Sequence, residues 1–296
     1  MRKSILFILA MFFLSITGCQ SQPFQQATLT PTQGTPTPIP GLTMESIKNA
    51  AIFAPELQKN VQLLDGKYEG GSGLDYSLVE ILPQSTVGDV NGDGQQDAVV
   101  ILAENGGGSG VFVSLVVFLS HENGFSQSQA ALIDDRAQVN RVAVTTGKIS
   151  VDALIHGAND AMASPSLHVL ETYQLYGDAL ALVGLDSTLN GIENSIQIDT
   201  PVNGQSLTGN IEVKGSMAVA PFENTLRYRF YDESGKVLDE GAFMVKSEDV
   251  GKPAIFDNSL TLPAVPSGTK LRLELTDLSA KDGSPVCMSS VDVVVK

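Results

Sequence analysis

Tryptophan is absent from this chain of 296 residues, and cysteine occurs only as Cys19 and Cys287. Bases are scarce: 18 Lys and Arg stand against 33 Asp and Glu, a formal net charge of −15. A chain this acidic repels phosphate backbones, which excludes nucleic acid as a partner. The imbalance concentrates in residues 44–190, with 6 bases and 18 acids, whereas residues 191–296 hold 10 and 15. Most of these carboxylates read as solvated acidic surface. The apolar run near the N-terminus covers residues 5–16 and is too short to span a bilayer.

Motifs for catalysis are missing as well. Gly106-Gly107-Gly108-Ser109-Gly110 lacks the Lys-Ser/Thr that closes a phosphate loop, and Val111 stands where a nucleophile elbow needs glycine. Ser267-Gly268-Thr269-Lys270 has Ser-x-x-Lys spacing, but it sits in a Pro/Gly turn without companion motifs. Asp134 and Asp135 are adjacent, so on a strand they face opposite sides and cannot flank one bond. His156 and Asp160 are near enough to share a metal or a proton, yet no third ligand is visible and a satisfied loop histidine is the expectation. These gaps point away from an enzyme.

What is present begins with an address. Arg2 and Lys3 precede the apolar run, which ends in Ile16-Thr17-Gly18-Cys19. This resembles the bacterial lipobox. The resemblance implies that residues 1–18 are a lipoprotein signal peptide and that Cys19 is lipidated and becomes the mature N-terminus. Several acyl chains on one cysteine anchor a protein stably to a membrane on its extracytoplasmic side. Residues 19–43 form a linker, and 20–43 carry no charge and are rich in Pro, Thr and Gln. Such a segment cannot bury enough apolar area to fold; proline biases it to an extended stalk of up to roughly 70 Å. Cys287 is then the only free thiol. Strand parity puts it with Val291 and Val293 on an inward face, as a buried structural residue.

The length allows two domains, and the 28 glycines and short apolar runs between turn signals favour mainly β structure. The expected first domain, 44–190, is a β-rich meander. Residues 44–51 read as a short helix, 61–68 as a strand closing in a turn and 76–81 as the next strand. Further strands are expected at 141–144, 149–155, 167–175 and 179–183. Its most informative stretch is Asp89-Val90-Asn91-Gly92-Asp93-Gly94-Gln95-Gln96-Asp97. Hard oxygens stand at positions 1, 3, 5 and 9, a backbone carbonyl at 7 and glycine at 6, which is calcium-loop spacing. The expected ligands to Ca2+ are Asp89, Asn91, Asp93 and Asp97 with the Gln95 carbonyl, in a structural role. Position 12 is Val100 and the following run, residues 98–102, is β-branched and apolar. An EF-hand needs Glu and a helix there, so the loop feeds a buried strand instead. It resembles the strand–loop–strand calcium loops of FG-GAP repeats, in a single copy that predicts no propeller. The domain as a whole resembles an uncharacterised bacterial extracytoplasmic domain. That likeness implies cysteines near Ala163 and Ser164, and their absence argues against a redox or soft-metal role.

The expected second domain is 194–296. Residues 211–216 and 226–230 alternate apolar and polar, and residues 270–275 put three leucines on one face and the charges on the other. About seven short strands predict an immunoglobulin-like sandwich. Without a cysteine pair or core tryptophan it is not of antibody type. TPVNGQSL, NIEVKGSM, LRYRFYDESGKVLDEGAF and LELTDLSAKDGSP resemble the immunoglobulin-like domain of bacterial spore germination proteins. That resemblance implies a noncatalytic envelope module.

Together these observations predict a membrane-anchored extracytoplasmic lipoprotein acting as a binding or scaffolding module of the cell envelope. Its partners would be the membrane, through the lipid, and a cell-wall or envelope-protein ligand. The alternatives are an enzyme acting on envelope glycans and a solute-capture protein.

Overall fold

The computed structural model describes residues 42–296, Val250 excepted; Cys19, the signal segment and most of the linker lie outside the described residues. The described part is mainly β, with antiparallel sheets and one short helix, Met44–Lys48. Thr43 caps that helix by accepting the Ser46 N–H, and Ile47 is its buried anchor. The helix ends three residues before the expected limit because Ala51–Ala54 pairs as a strand with Lys59–Gln62. The strand expected over 61–68 is likewise two, Lys59–Gln62 and Lys67–Gly70, separated by a turn through Asp65 and Gly66 at φ 50 and 83.

Strand Asp97–Asn105 is the spine of the N-terminal half. It lies inside a seven-stranded sheet between Ser77–Ile81 and Phe112–His121. Successive side chains leave opposite faces of a strand. Val99 and Ile101 therefore enter one core, with Val113, Leu115, Ile149 and Val151. Ala98, Val100 and Leu102 enter another, with Ile47, Ile52, Val61 and Phe118. Burial on both faces explains why this run is apolar throughout instead of alternating.

The second sheet has ten strands. Its main path runs from Gln138–Thr145 through Lys148–Ile155, Leu167–Tyr176 and Ala179–Leu189. It continues through Pro285–Val295, Lys270–Leu278 and Thr225–Tyr231 to Val237–Met244. The join is made by Gly184 and Leu185 against Ser289 and Met288. The segments 44–190 and 194–296 are thus connected by a shared sheet as well as by the chain.

The C-terminal half is a sandwich. Four strands, Ile196–Thr200, Asn210–Met217, Ala254–Thr261 and Lys246–Ser247, form one sheet. They face Thr225–Tyr231, Val237–Met244, Lys270–Leu278, Pro285–Val295 and the short parallel strand Gln205–Leu207. Nine strands take part, two more than the alternation alone suggests. The extra ones are the two- and three-residue pieces, too short to show a period. Leu271, Leu273 and Leu275 fill the core with Phe230, Phe256, Val213 and Cys287. The opposite face of the leucine strand is not solvated: Arg272, Glu274 and Thr276 are all buried.

Candidate functional site

The acidic loop links strand Thr86–Gly88 to strand Asp97–Asn105. Gly92 and Gly94 adopt φ 78 and 82, a region that side chains disfavour, and this allows the tight turn. The Asp89 carboxylate accepts the Gly92 N–H at 2.7 Å and the Gly94 N–H at 2.9 Å. Asn91 Oδ1 accepts the Asp93 N–H at 3.0 Å, and Asp93 Oδ1 accepts the Gln95 N–H at 2.7 Å. Asn91 also donates its amide to Asp93 Oδ2. Asp97 stands apart from this exposed turn. It is fully buried and accepts Val90 N–H at 3.0 Å and Ser120 N–H at 2.9 Å, tying the loop to the neighbouring strand. Burial pushes its pKa up, Ser120 and Val90 oppose that, and the charges of Asp93 and Asp89 add to it. Among the described residues no three His, Cys, Asp or Glu side chains are arranged to hold a metal ion. The donors are nevertheless hard oxygens, and a carboxylate oxygen that accepts one N–H keeps a further lone pair.

His156 and Asp160 do not pair. His156 Nδ1 meets Asp134 Oδ2 at 2.7 Å, while Asp160 accepts from Gly157 N–H, Ser166 N–H and the Ser166 hydroxyl. Asp135 turns the other way, to Val111 N–H and Arg136. In Ser267-Gly268-Thr269-Lys270, Lys270 reaches toward Glu233 at 3.6 Å and Thr269 donates to the Pro266 carbonyl.

A second polar site has no motif in the sequence. Tyr231, Arg272 and Asp292 form one cross-strand row over three neighbouring strands. The hairpin of Leu167–Tyr176 and Ala179–Leu189 reaches this face, and Gln174 and Tyr176 there bind Asp292. Two adjacent clefts of about 270 Å³ and 320 Å³ share Tyr176, Asp232, Glu233 and Arg272 in their walls. Burial and then Asp292 push the Tyr176 phenol up, with Arg272 opposing them. Residues 176 and 272 are too far apart in the chain for any period or spacing to link them.

No curated protein matches this chain. Residues 195–284 match the model of the immunoglobulin-like domain of bacterial spore germination, and this part of the chain, which carries every strand of the sandwich but the last, is a domain of that kind.

Proposed function

We propose that this protein is an extracytoplasmic lipoprotein, held at the membrane by an acylated Cys19, that serves as a noncatalytic binding or scaffolding module of the cell envelope in a germination-related role. The observation that carries this reading is the spore-germination immunoglobulin-like domain at 195–284. The charge-free linker supports it, because a stalk suits a module that works away from the lipid surface. The recessed polar clefts at Arg272 support binding. The test has two arms. Cys19→Ala moves the protein from the membrane fraction to the soluble one, and the wild-type chain captures an envelope component without altering it. Retention of Cys19→Ala in membranes overturns the anchor, and turnover of the captured component overturns the noncatalytic role.

A structural Ca2+ in the loop of Asp89, Asn91, Asp93, Gln95 and Asp97 belongs to the same proposal. It is favoured by the exposed turn, where the side-chain oxygens of Asp89, Asn91 and Asp93 crowd together, two of them negatively charged. A divalent cation relieves that repulsion.

A further inference from the structure

Arg272 is 9% exposed, and its Nε has no hydrogen-bond partner. It takes part in none of the ion pairs among the described residues. A buried guanidinium N–H without an acceptor is costly and calls for an explanation. Its central carbon lies 4.5 Å from the centre of the Tyr231 ring and 5.3 Å from that of Tyr176. The two rings hold the guanidinium from different elements of the fold, and its Nε–H is left without an acceptor.

Three neighbouring carboxylates have other partners. Asp292 accepts the Tyr176 hydroxyl at 2.9 and 3.1 Å and the Gln174 amide at 3.3 Å. Glu274 accepts from the hydroxyls of Tyr231 and Thr276. Asp232 accepts from Ser234 and from the Lys236 N–H. What the site lacks is one planar, singly charged acceptor that matches a guanidinium fork, which is a carboxylate. The walls of the two clefts carry Asp178, Asp232, Glu233 and Asp292 against Arg272 and Lys270. This net negative wall repels a dianion such as phosphate about twice as strongly as a monocarboxylate, so the remainder of the ligand is uncharged or cationic.

We propose that the Arg272 cleft binds a monocarboxylate, the free carboxylate end of a peptide or of a sugar acid, through two in-plane N–H groups of the guanidinium clamped between Tyr176 and Tyr231. This deepens the binding-module reading and rests on it, by naming a ligand class.

Titration of the full chain, followed by NMR at the Arg272 Nε–H, tests it with four probes: N-acetyl-alanyl-alanine, its C-terminal amide, glucuronate and inorganic phosphate. The expected result is a saturable shift with at least one of the two carboxylates and none with the amide or phosphate. A response to the dipeptide acid alone identifies a peptide end, and to glucuronate alone a sugar acid. Arg272→Lys keeps the charge but loses the fork, and weakens binding by about ten-fold or more when both chains are compared by titration calorimetry. Equal responses to acid and amide, silence toward both carboxylates, or wild-type affinity in Arg272→Lys overturns the proposal. Should that variant not fold, the acid-against-amide comparison on the wild-type chain decides it. A silent titration beside a positive envelope capture overturns this site and leaves the module reading standing.

Discussion

Cys287 and Met288 are chain neighbours whose side chains enter different hydrophobic cores. Cys287 is 1% exposed in the sandwich core, and Met288, at 5%, packs in the core that also holds Val99 and Ile101. Strand alternation sends consecutive residues to opposite faces, so one strand closes both cores at once. The two halves are then expected to unfold together. Calorimetry of the chain should give a single transition, and Met288→Ala should lower it by about 2–5 kcal/mol without splitting it. Two resolved transitions would show that the shared strand does not couple the halves.

The Cys287 thiol is pushed up in pKa by burial, with Asp277 and Asp186 adding to the effect. The thiolate is the reactive form, so the native thiol should resist an aromatic disulfide reagent. Labelling should appear only in denaturant, or at the rate of global opening. Fast labelling of native protein would mean that the last strand opens locally.

Ile101 is fully buried in the strand that serves two cores. Ile101→Ala removes atoms from a site walled on all sides and should cost about 2–5 kcal/mol, read from chemical denaturation. Leu132→Ala is the control: its side chain is half exposed, and it should change stability by less than about 1 kcal/mol.

Glu104 is fully buried and accepts the N–H groups of Glu56 and Leu57 at 3.1 Å each. Burial raises its pKa from 4.5 to about 7, with those two N–H groups opposing. Glu171, bonded to the Tyr173 hydroxyl at 2.8 Å, is also raised to about 7 by burial. Between pH 4.5 and 7 the unfolded chain loses these protons while the folded chain keeps them. Stability therefore falls as pH rises through that window and levels above it. Asp160, Asp232 and Asp282 are shifted down by hydrogen bonds and act oppositely, losing stability as pH falls below about 4. The melting temperature should peak between about pH 4 and 4.5. Glu104→Gln should remove about 1.4 kcal/mol per pH unit from the slope between 4.5 and 7. An unchanged slope in that variant would show that Glu104 ionises normally.

Calcium at ten times its dissociation constant should stabilise the chain by about 1.4 kcal/mol if the acidic loop binds it. The affinity expected for an extracellular module is about 10⁻⁴–10⁻³ M, so millimolar calcium is the working range. Asp89→Ala and Asp93→Ala should each abolish the shift between calcium and chelator. Identical wild-type midpoints in the two conditions would rule the ion out.

Part of this architecture is legible in the sequence. The 98–102 run announces a strand buried on both faces, because nothing polar interrupts it. The alternation of Leu271, Leu273 and Leu275 announces a sandwich face, and the glycines of the acidic loop announce its turn. Reading failed where contacts are distant. The same alternation that marks the leucine face suggests a solvated charged face opposite. The hairpin ending at Tyr176 reaches that face, and Arg272 is held there between Tyr176 and Tyr231. Spacing sets His156 beside Asp160, four residues on, yet it pairs with Asp134, brought near by strand packing.

The sequence by itself determined the β class, the immunoglobulin-like segment and the turn chemistry of the acidic loop, because periods, glycines and short-range hydrogen bonds are local properties. Only the tertiary structure decided that a ten-stranded sheet runs through both halves and that Arg272 is buried between two tyrosines. Strand pairing and burial of a polar face depend on which distant segments meet, and a one-dimensional pattern carries no record of that.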